Sequence, residues 1–191
     1  MPKFLKSSLL ILVITLFKMP FANAQKVRVI DNKGTIKKIL KPTTAELYDI
    51  SGGFAIPFNS GSVLSVGVII QFDTAGIIDS NDYLTTTASV TILNSGTYKV
   101  TYRVTAQTTS GDSISGTEYI LLKNDNVVPG SYSAAYHRNS DAGKDTASAS
   151  RIIVLEQNDV LKVRGNKYTG NTNNDTETVA QGSLFLVERV K

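Results

Sequence analysis

Apolar and polar residues alternate along much of the chain from residue 54 onward, in short runs separated by Gly, Asn, Asp or Ser. The clearest run covers residues 97–106, in which Tyr98, Val100, Tyr102, Val104 and Ala106 alternate with polar residues. A period of two residues is typical of a strand with one buried face. Many short strands of this kind predict an all-β, two-sheet antiparallel sandwich.

The remaining strands are predicted from β-branched and aromatic runs. They cover residues 54–58, 63–72, 86–93, 118–123, 131–136, 147–155, 160–164 and 183–190. Thr43 and Glu46 have the spacing of a capping box, which predicts one turn of helix before Ser51. Residues 165–182 are polar and predict an exposed loop or one weak strand. No long helix is predicted in the chain after residue 24.

Three runs are apolar at every position, at residues 119–122, 152–155 and 184–187. In an antiparallel sheet such a run indicates that both faces are covered. The cover is either the chain's own loops and N-terminal segment or a second subunit. The following side chains are therefore predicted to pack in the core or at an interface: Tyr98, Tyr102, Leu121, Ile153, Phe185 and Val187.

The first 24 residues have the pattern of a secretory signal peptide. Lys3 and Lys6 precede an apolar run at residues 9–17, and Ala22-Asn23-Ala24 supplies small residues at a cleavage site. An uncleaved membrane anchor is the alternative. Cleavage would start the mature chain near Gln25, with no predicted transmembrane segment, and would make the protein secreted or displayed at the cell surface.

Charge is distributed unevenly. Residues 1–24 hold three of the 20 basic residues and no acidic residue, which leaves 17 basic against 16 acidic residues. Residues 25–41 hold six basic residues against one acidic residue, a net charge of +5, whereas residues 42–191 hold 11 basic and 15 acidic residues, a net charge of −4. The basic stretch lies within an N-terminal segment (residues 25–51) that forms a hairpin or a stalk before the main domain (residues 52–191). Because the domain has no basic patch interleaved with aromatic residues, no nucleic acid partner is predicted.

The residues that most enzymes and metal sites need are scarce. The chain has no Cys and one His, His137, so thiolate metal sites, disulfides and His-rich metal sites are excluded. One polar loop imitates the start of a calcium-binding loop but lacks its central Gly and its final Glu. Its oxygen-bearing residues are Asn171, Asn173, Asp175 and Glu177. The sequence predicts no cofactor and no catalytic residue.

Five local motifs occur in a consistent order: residues 52–55 (Gly-Gly-Phe-Ala), 94–102, 122–128, 154–161 and 182–186. In this order they resemble the complement C1q and tumour-necrosis-factor-like jelly-roll superfamily, especially bacterial members such as the C-terminal domain of exosporium collagen-like glycoprotein. Asn158 stands where that family usually has Gly, and Asn also tolerates a positive φ. The resemblance implies a ten-stranded jelly roll that forms a homotrimer and acts by binding, without catalytic residues.

The sequence therefore predicts a non-catalytic, trimeric jelly-roll module that acts in structure or in recognition of a carbohydrate or protein ligand. The alternative is a monomeric, lectin-like carbohydrate-binding module in which Tyr132, Tyr136 and Tyr168 stack on sugar rings. A third alternative is a glycan-active enzyme that uses two carboxylates from distant strands.

Overall fold

The computed structural model describes residues 26–30, 34, 36–40, 42–109, 115–137, 143–170 and 176–190, with backbone alone at 26–30, 36–40, 137 and 168–170. Within these ranges every regular element is a strand. The strands are β1 (Lys26–Ile30), β2 (Ile36–Leu40), β3 (Thr44–Asp49), β4 (Val68–Ile69), β5 (Thr74–Ile78), β6 (Tyr83–Thr86), β7 (Ser89–Ile92), β8 (Gly96–Thr108), β9 (Ser115–Lys123), β10 (Asn126–Val127), β11 (Ser133–His137), β12 (Lys144–Leu155), β13 (Val160–Gly170), β14 (Thr176–Thr178) and β15 (Ser183–Arg189). Residues 1–24, where the signal peptide is predicted, lie outside the described residues.

Two antiparallel sheets pack face to face, as the sequence predicts. The seven-stranded sheet has the order β10-β9-β13-β7-β6, with β11 paired to β9 and β4 paired to β13. The six-stranded sheet has the order β12-β8-β15-β3-β5, with β14 paired to β8. Strands β1 and β2 pair only with each other, as a hairpin, which is one of the two forms considered for the N-terminal segment.

The core lies between the inner faces of the two sheets. From the six-stranded sheet it takes the alternating residues of β8, together with Phe185, and from the seven-stranded sheet Tyr119 and Leu121. The rings of Phe72 and Phe185 stack with their centroids 5.7 Å apart. The period-two pattern predicted over residues 97–106 is therefore fully realised, because its apolar residues are all buried and its polar residues are half-buried or exposed.

Four sequence predictions differ from the structure. The predicted turn of helix at residues 43–48 is strand β3, because Ala45 and Leu47 enter the core and the whole strand pairs with β15. This tertiary pairing outweighs the local capping preference. Residues 54–58 make only isolated bridges, and residues 63–72 contain only the short β4. Short strands also raise the count in the described sandwich to thirteen, above the ten that the resemblance implies.

The predicted turns have the expected backbone. Asn124 and Asp125, with φ of 50° and 63°, are both left-handed and connect β9 to β10. Asn158 has φ of 72°, so it does provide the conformation that Gly provides in the resembling family. Next to it, Asp159 accepts bonds from the Glu156 amide at 2.7 Å and the Asn124 side chain at 2.6 Å.

Residues 59–66 form a strap across the outer face of the seven-stranded sheet. Asn166, fully buried on β13, accepts a hydrogen bond from the Asn59 amide at 3.1 Å. Its side-chain nitrogen donates to the carbonyls of Asn59 at 3.2 Å and Gly61 at 2.9 Å. A single side chain thus satisfies three backbone groups of the strap.

The strap also carries an apolar contact. Val63 packs on Ile120 and Leu122, the outward residues of β9, in a small second core. The Val63 amide donates to Glu118 Oε1 at 2.6 Å, and Arg164 donates to the Val63 carbonyl at 3.2 Å. The apolar run at residues 119–122 is therefore covered on its outer face by the chain's own loop and needs no second subunit there.

Substitution of Asn166 tests whether its side chain holds the strap on the sheet. Asn166→Ala leaves three backbone groups without their partner, so the free energy of unfolding should fall by about 1–3 kcal/mol in a urea titration. Hydrogen exchange at the Val63 amide should also become faster. The matched control is Asn81→Ala, at an exposed turn position, which should change stability by less than about 0.5 kcal/mol. Equal effects of the two substitutions would contradict the role of Asn166.

Four buried tyrosines make the fold sensitive to alkali. Burial raises the pKa of Tyr98 and Tyr102 to about 12, and it also raises the pKa of Tyr83 and Tyr119. The unfolded chain releases these protons from about pH 10, so the folded state holds more protons above that pH and its stability falls as the pH rises.

Tyrosinate absorbance and circular dichroism, followed together during an alkaline titration, check this prediction. Ionisation of the four buried tyrosines should coincide with loss of the β-sheet signal. Complete ionisation of all tyrosines near pH 10 with an unchanged circular dichroism spectrum would show that burial does not protect them.

Candidate binding surfaces

The structure places the six predicted packing residues inside one copy of the chain. Five of them are fully buried between the sheets: Tyr98, Tyr102, Leu121, Phe185 and Val187. Ile153 is partly buried and packs against the same core. Surfaces that could contact another molecule are formed by their sequence neighbours, which point the opposite way.

The first surface is an apolar patch on the edge strand of the six-stranded sheet. Ile152 and Val154 on β12 lie on its outer face and are 67% and 65% exposed. Next to Val154 a groove of about 430 Å³ is lined mainly by Val127, Pro129 and Ile153. We call Ile152 and Val154 the edge patch. Unlike the outward residues of β9, the outward residues of the run at 152–155, Ile152 and Val154, have no cover from the described part of the chain.

The second surface lies at the centre of the same outer face. Leu184 and Leu186 on β15 are half-buried, and Tyr48 on β3 is paired opposite Leu184. A depression of about 520 Å³ is lined by Tyr48 and Leu184, together with Glu46 and Arg103. We call Tyr48, Leu184 and Leu186 the central patch. Its apolar area is smaller and less exposed than that of the edge patch.

Polar residues of β8 separate the two patches. Lys99 pairs opposite Ile152 on one side and Glu188 on the other, and Arg103 pairs opposite Leu184. Lys99 and Glu188 form an ion pair of 3.2 Å that is open to solvent, so it adds little stability. The outer face of the six-stranded sheet thus has two apolar areas with a charged row between them.

The third surface follows β11 at the edge of the seven-stranded sheet. Tyr132, which directly precedes β11, and Tyr136 are 50% and 47% exposed, and Ala134 between them is also exposed. We call these three residues the tyrosine strip. Tyr168 is on β13, but its side chain lies outside the described residues, so its place beside the other two tyrosines stays a prediction.

Acidic groups lie beside the tyrosine strip. The Tyr132 hydroxyl donates to Glu118 Oε2 at 3.2 Å, and the Tyr136 amide donates to Asp145 Oδ2 at 2.9 Å. Glu118 is paired opposite Ala134, so its carboxylate lies on the strip's face of the sheet. Sequence reasoning did not single out Glu118 or Asp145, because each becomes a neighbour of the strip only through strand pairing.

No metal site is found in the described residues. No group of three or more His, Asp or Glu side chains there is arranged to hold an ion. Most of the loop that imitates a calcium-binding loop, residues 171–175, lies outside the described part of the chain. Its last acidic residue, Glu177, is described and accepts a hydrogen bond from Gln107 at 3.0 Å. The His137 side chain also lies outside the described part. Likewise, no described helix is long and apolar enough to cross a membrane.

The chain was compared with known proteins by sequence and by structure. No protein-family model matches it, and no curated protein matches it by sequence. Among solved structures it is similar to Eiger TNF from S. frugiperda, at 13% identity and a TM-score of 0.52, covering 78% of this chain and 93% of that one. It is also similar to murine APRIL, at 10% identity and a TM-score of 0.45, covering 78% of this chain and 100% of that one.

The similarity to Eiger TNF shows the fold and, at this identity, nothing finer. The chain is an all-β sandwich of the tumour-necrosis-factor type, a two-sheet antiparallel jelly roll. This confirms the predicted fold class. Function does not follow from such a fold; it depends on the surfaces that the chain exposes.

Proposed function

We propose that this chain is an exported, non-catalytic binding module that works as a ring of three copies. The observation that carries the proposal is the edge patch, where Ile152 and Val154 are mostly exposed on a long edge strand. An edge strand of a stable monomer usually carries charge or Pro at such positions. Apolar side chains left together in this way favour a protein partner.

The central patch is the best candidate for the surface that receives the edge patch. Both are apolar and lie on the outer face of the six-stranded sheet, but they are different surfaces. Contact between the edge patch of one copy and the central patch of the next is therefore heterologous, and such a contact forms a closed ring when the rotation from copy to copy adds up to a full turn. Three copies is the number that the sequence resemblance implies.

The charged row of β8 would lie inside or beside this contact. Lys99, which pairs with Glu188 within one copy, and the exposed Arg103 would lie close to acidic groups of a neighbour, such as Glu46. Exposed ion pairs of this kind contribute little affinity, but they fix the register of two surfaces. Affinity would come from the apolar side chains on either side.

Two aspartates whose pKa values are lowered, Asp73 and Asp159, have structural roles. The amide of Ile50, together with the amide of Ser51 and the hydroxyl of Thr74, holds the pKa of Asp73 well below its usual range. These contacts fix a loop. They do not place the carboxylate in a cleft, where an acid or base of catalysis would be expected.

Asp159 has a similar structural use. Burial acts to raise its pKa, but the Lys123 ammonium and the Glu156 amide outweigh burial and lower it overall. Lys123 Nζ is 2.8 Å from Asp159 Oδ2. This carboxylate therefore holds the turn between β12 and β13 together.

The mass in solution tests the ring. Light scattering of the chain from residue 25 to residue 191 should give a mass of about three times that of one chain. Ile152→Lys combined with Val154→Lys replaces two exposed side chains, so it should leave the fold intact and give a single chain. Leu84→Lys, at an equally exposed position on β6 of the other sheet, is the matched control and should stay trimeric. A wild-type protein that remains monomeric at high concentration would refute the proposal.

The processed N-terminus tests export. When the full chain is expressed in a host with a secretory pathway, sequencing of the exported product should begin near Gln25. Replacing Ala22 and Ala24 with a large residue should retain the precursor, because the signal peptidase pocket accepts only small side chains at these positions. Equal release of the wild-type protein and of the variant with large residues at positions 22 and 24 would contradict a cleaved signal peptide.

A further inference from the structure

We propose that the tyrosine strip binds an extended, neutral polysaccharide. The inference supplies a ligand for the recognition role of the proposed function and rests on that function. The strip lies at the edge of the seven-stranded sheet, whereas both association patches lie on the outer face of the six-stranded sheet. The two activities are therefore separable by substitution.

The geometry of Tyr132 prepares its ring for stacking. Because its hydroxyl reaches Glu118 on the neighbouring strand, the ring lies across the sheet, and its half-exposed area leaves one side open to solvent. The bond to Glu118 also fixes the ring before any ligand arrives, which lowers the entropy lost on binding. A pyranose ring has an apolar face of C–H groups that packs on such a surface.

Tyr136 provides the second platform on the same side of β11. Its partner in the register is Gly116, which has no side chain to crowd the ring. Four residues of strand separate Tyr132 from Tyr136, a distance of about 13 Å. This is longer than a single sugar ring, so a ligand that contacts both tyrosines must be an oligosaccharide or a polysaccharide chain.

The surroundings favour a neutral glycan. Asp145 is exposed and contacts the Tyr136 amide, so its carboxylate can accept further bonds from the hydroxyl rim of a sugar. Glu118 is 6% exposed and sits between the two tyrosines. Two carboxylates beside the strip would repel a polyanionic chain at short range.

The shape of the strip argues against a protein ligand at this place. Stable protein interfaces bury a broad surface, typically about 800 Å² on each partner, around a continuous apolar centre. The strip is one strand wide, and its two rings are separated by Ala134. A narrow row of aromatic rings matches a linear polymer better than it matches a protein surface.

Affinity electrophoresis of the full chain tests this inference in native gels that contain hydroxyethylcellulose, laminarin or xylan, with polygalacturonate as the anionic probe. At least one neutral polymer should retard the wild-type protein, and polygalacturonate should not. Tyr132→Ala and Tyr136→Ala should each weaken that binding by about tenfold, the scale expected for the loss of one aromatic contact. Circular dichroism should show that both variants are folded.

Two controls separate stacking from other causes. Tyr136→Phe keeps the ring and should retain binding, while Leu84→Ala removes an exposed apolar side chain at the opposite edge of the same sheet and should have no effect. Failure of every neutral polymer to retard the wild type, or binding that survives both alanine substitutions, would overturn the inference. Light scattering of the same variants should still give the wild-type mass, so a failed ring and a failed sugar site give different results.

Discussion

Every sheet has two faces, and a two-layer sandwich can fill only one face of each sheet with its shared core. On the seven-stranded sheet the outer face is covered in part by the strap, residues 59–66, which places Val63 over the outward residues of β9. The six-stranded sheet has no such cover in the described residues, and Ile152 and Val154 stay exposed. The outer face of the six-stranded sheet can therefore pair with another copy, whereas the apolar residues on the outer face of β9 are already covered by the chain itself.

The core depends on polar anchoring as much as on apolar area. The Tyr102 hydroxyl donates to the Ser131 carbonyl at 2.5 Å, and the Tyr83 hydroxyl donates to the Thr43 carbonyl at 2.9 Å. Each tyrosine thus fills the core with its ring and fixes a loop with its hydroxyl. At one end of the sandwich, Arg189 is 3.3 Å from Asp82 in a buried ion pair, which ties the last strand to the turn before β6.

The fold class could be predicted from the sequence because the alternation in β8 is complete and the turns use Asn, Asp and Gly where left-handed backbone is required. Strand β3 does not follow from the sequence alone, because its local spacing also fits a helix start and only pairing with β15 decides between the two. The same limit applied to the apolar runs. Whether Ile120 or Ile152 is covered depends on where a distant loop travels, and no local pattern contains that information.

Separation of the two proposed surfaces has a further physical consequence. A strip of two tyrosines on one strand buries little area, so a single copy would hold a glycan weakly. In a ring, each copy presents the same strip, and a polymer that repeats its sugar units can contact several strips at once. The second contact then occurs at a high effective concentration, which raises the overall affinity without any new interaction. Self-association through Ile152 and Val154 would in this way make a weak sugar site on the opposite sheet useful to the whole assembly.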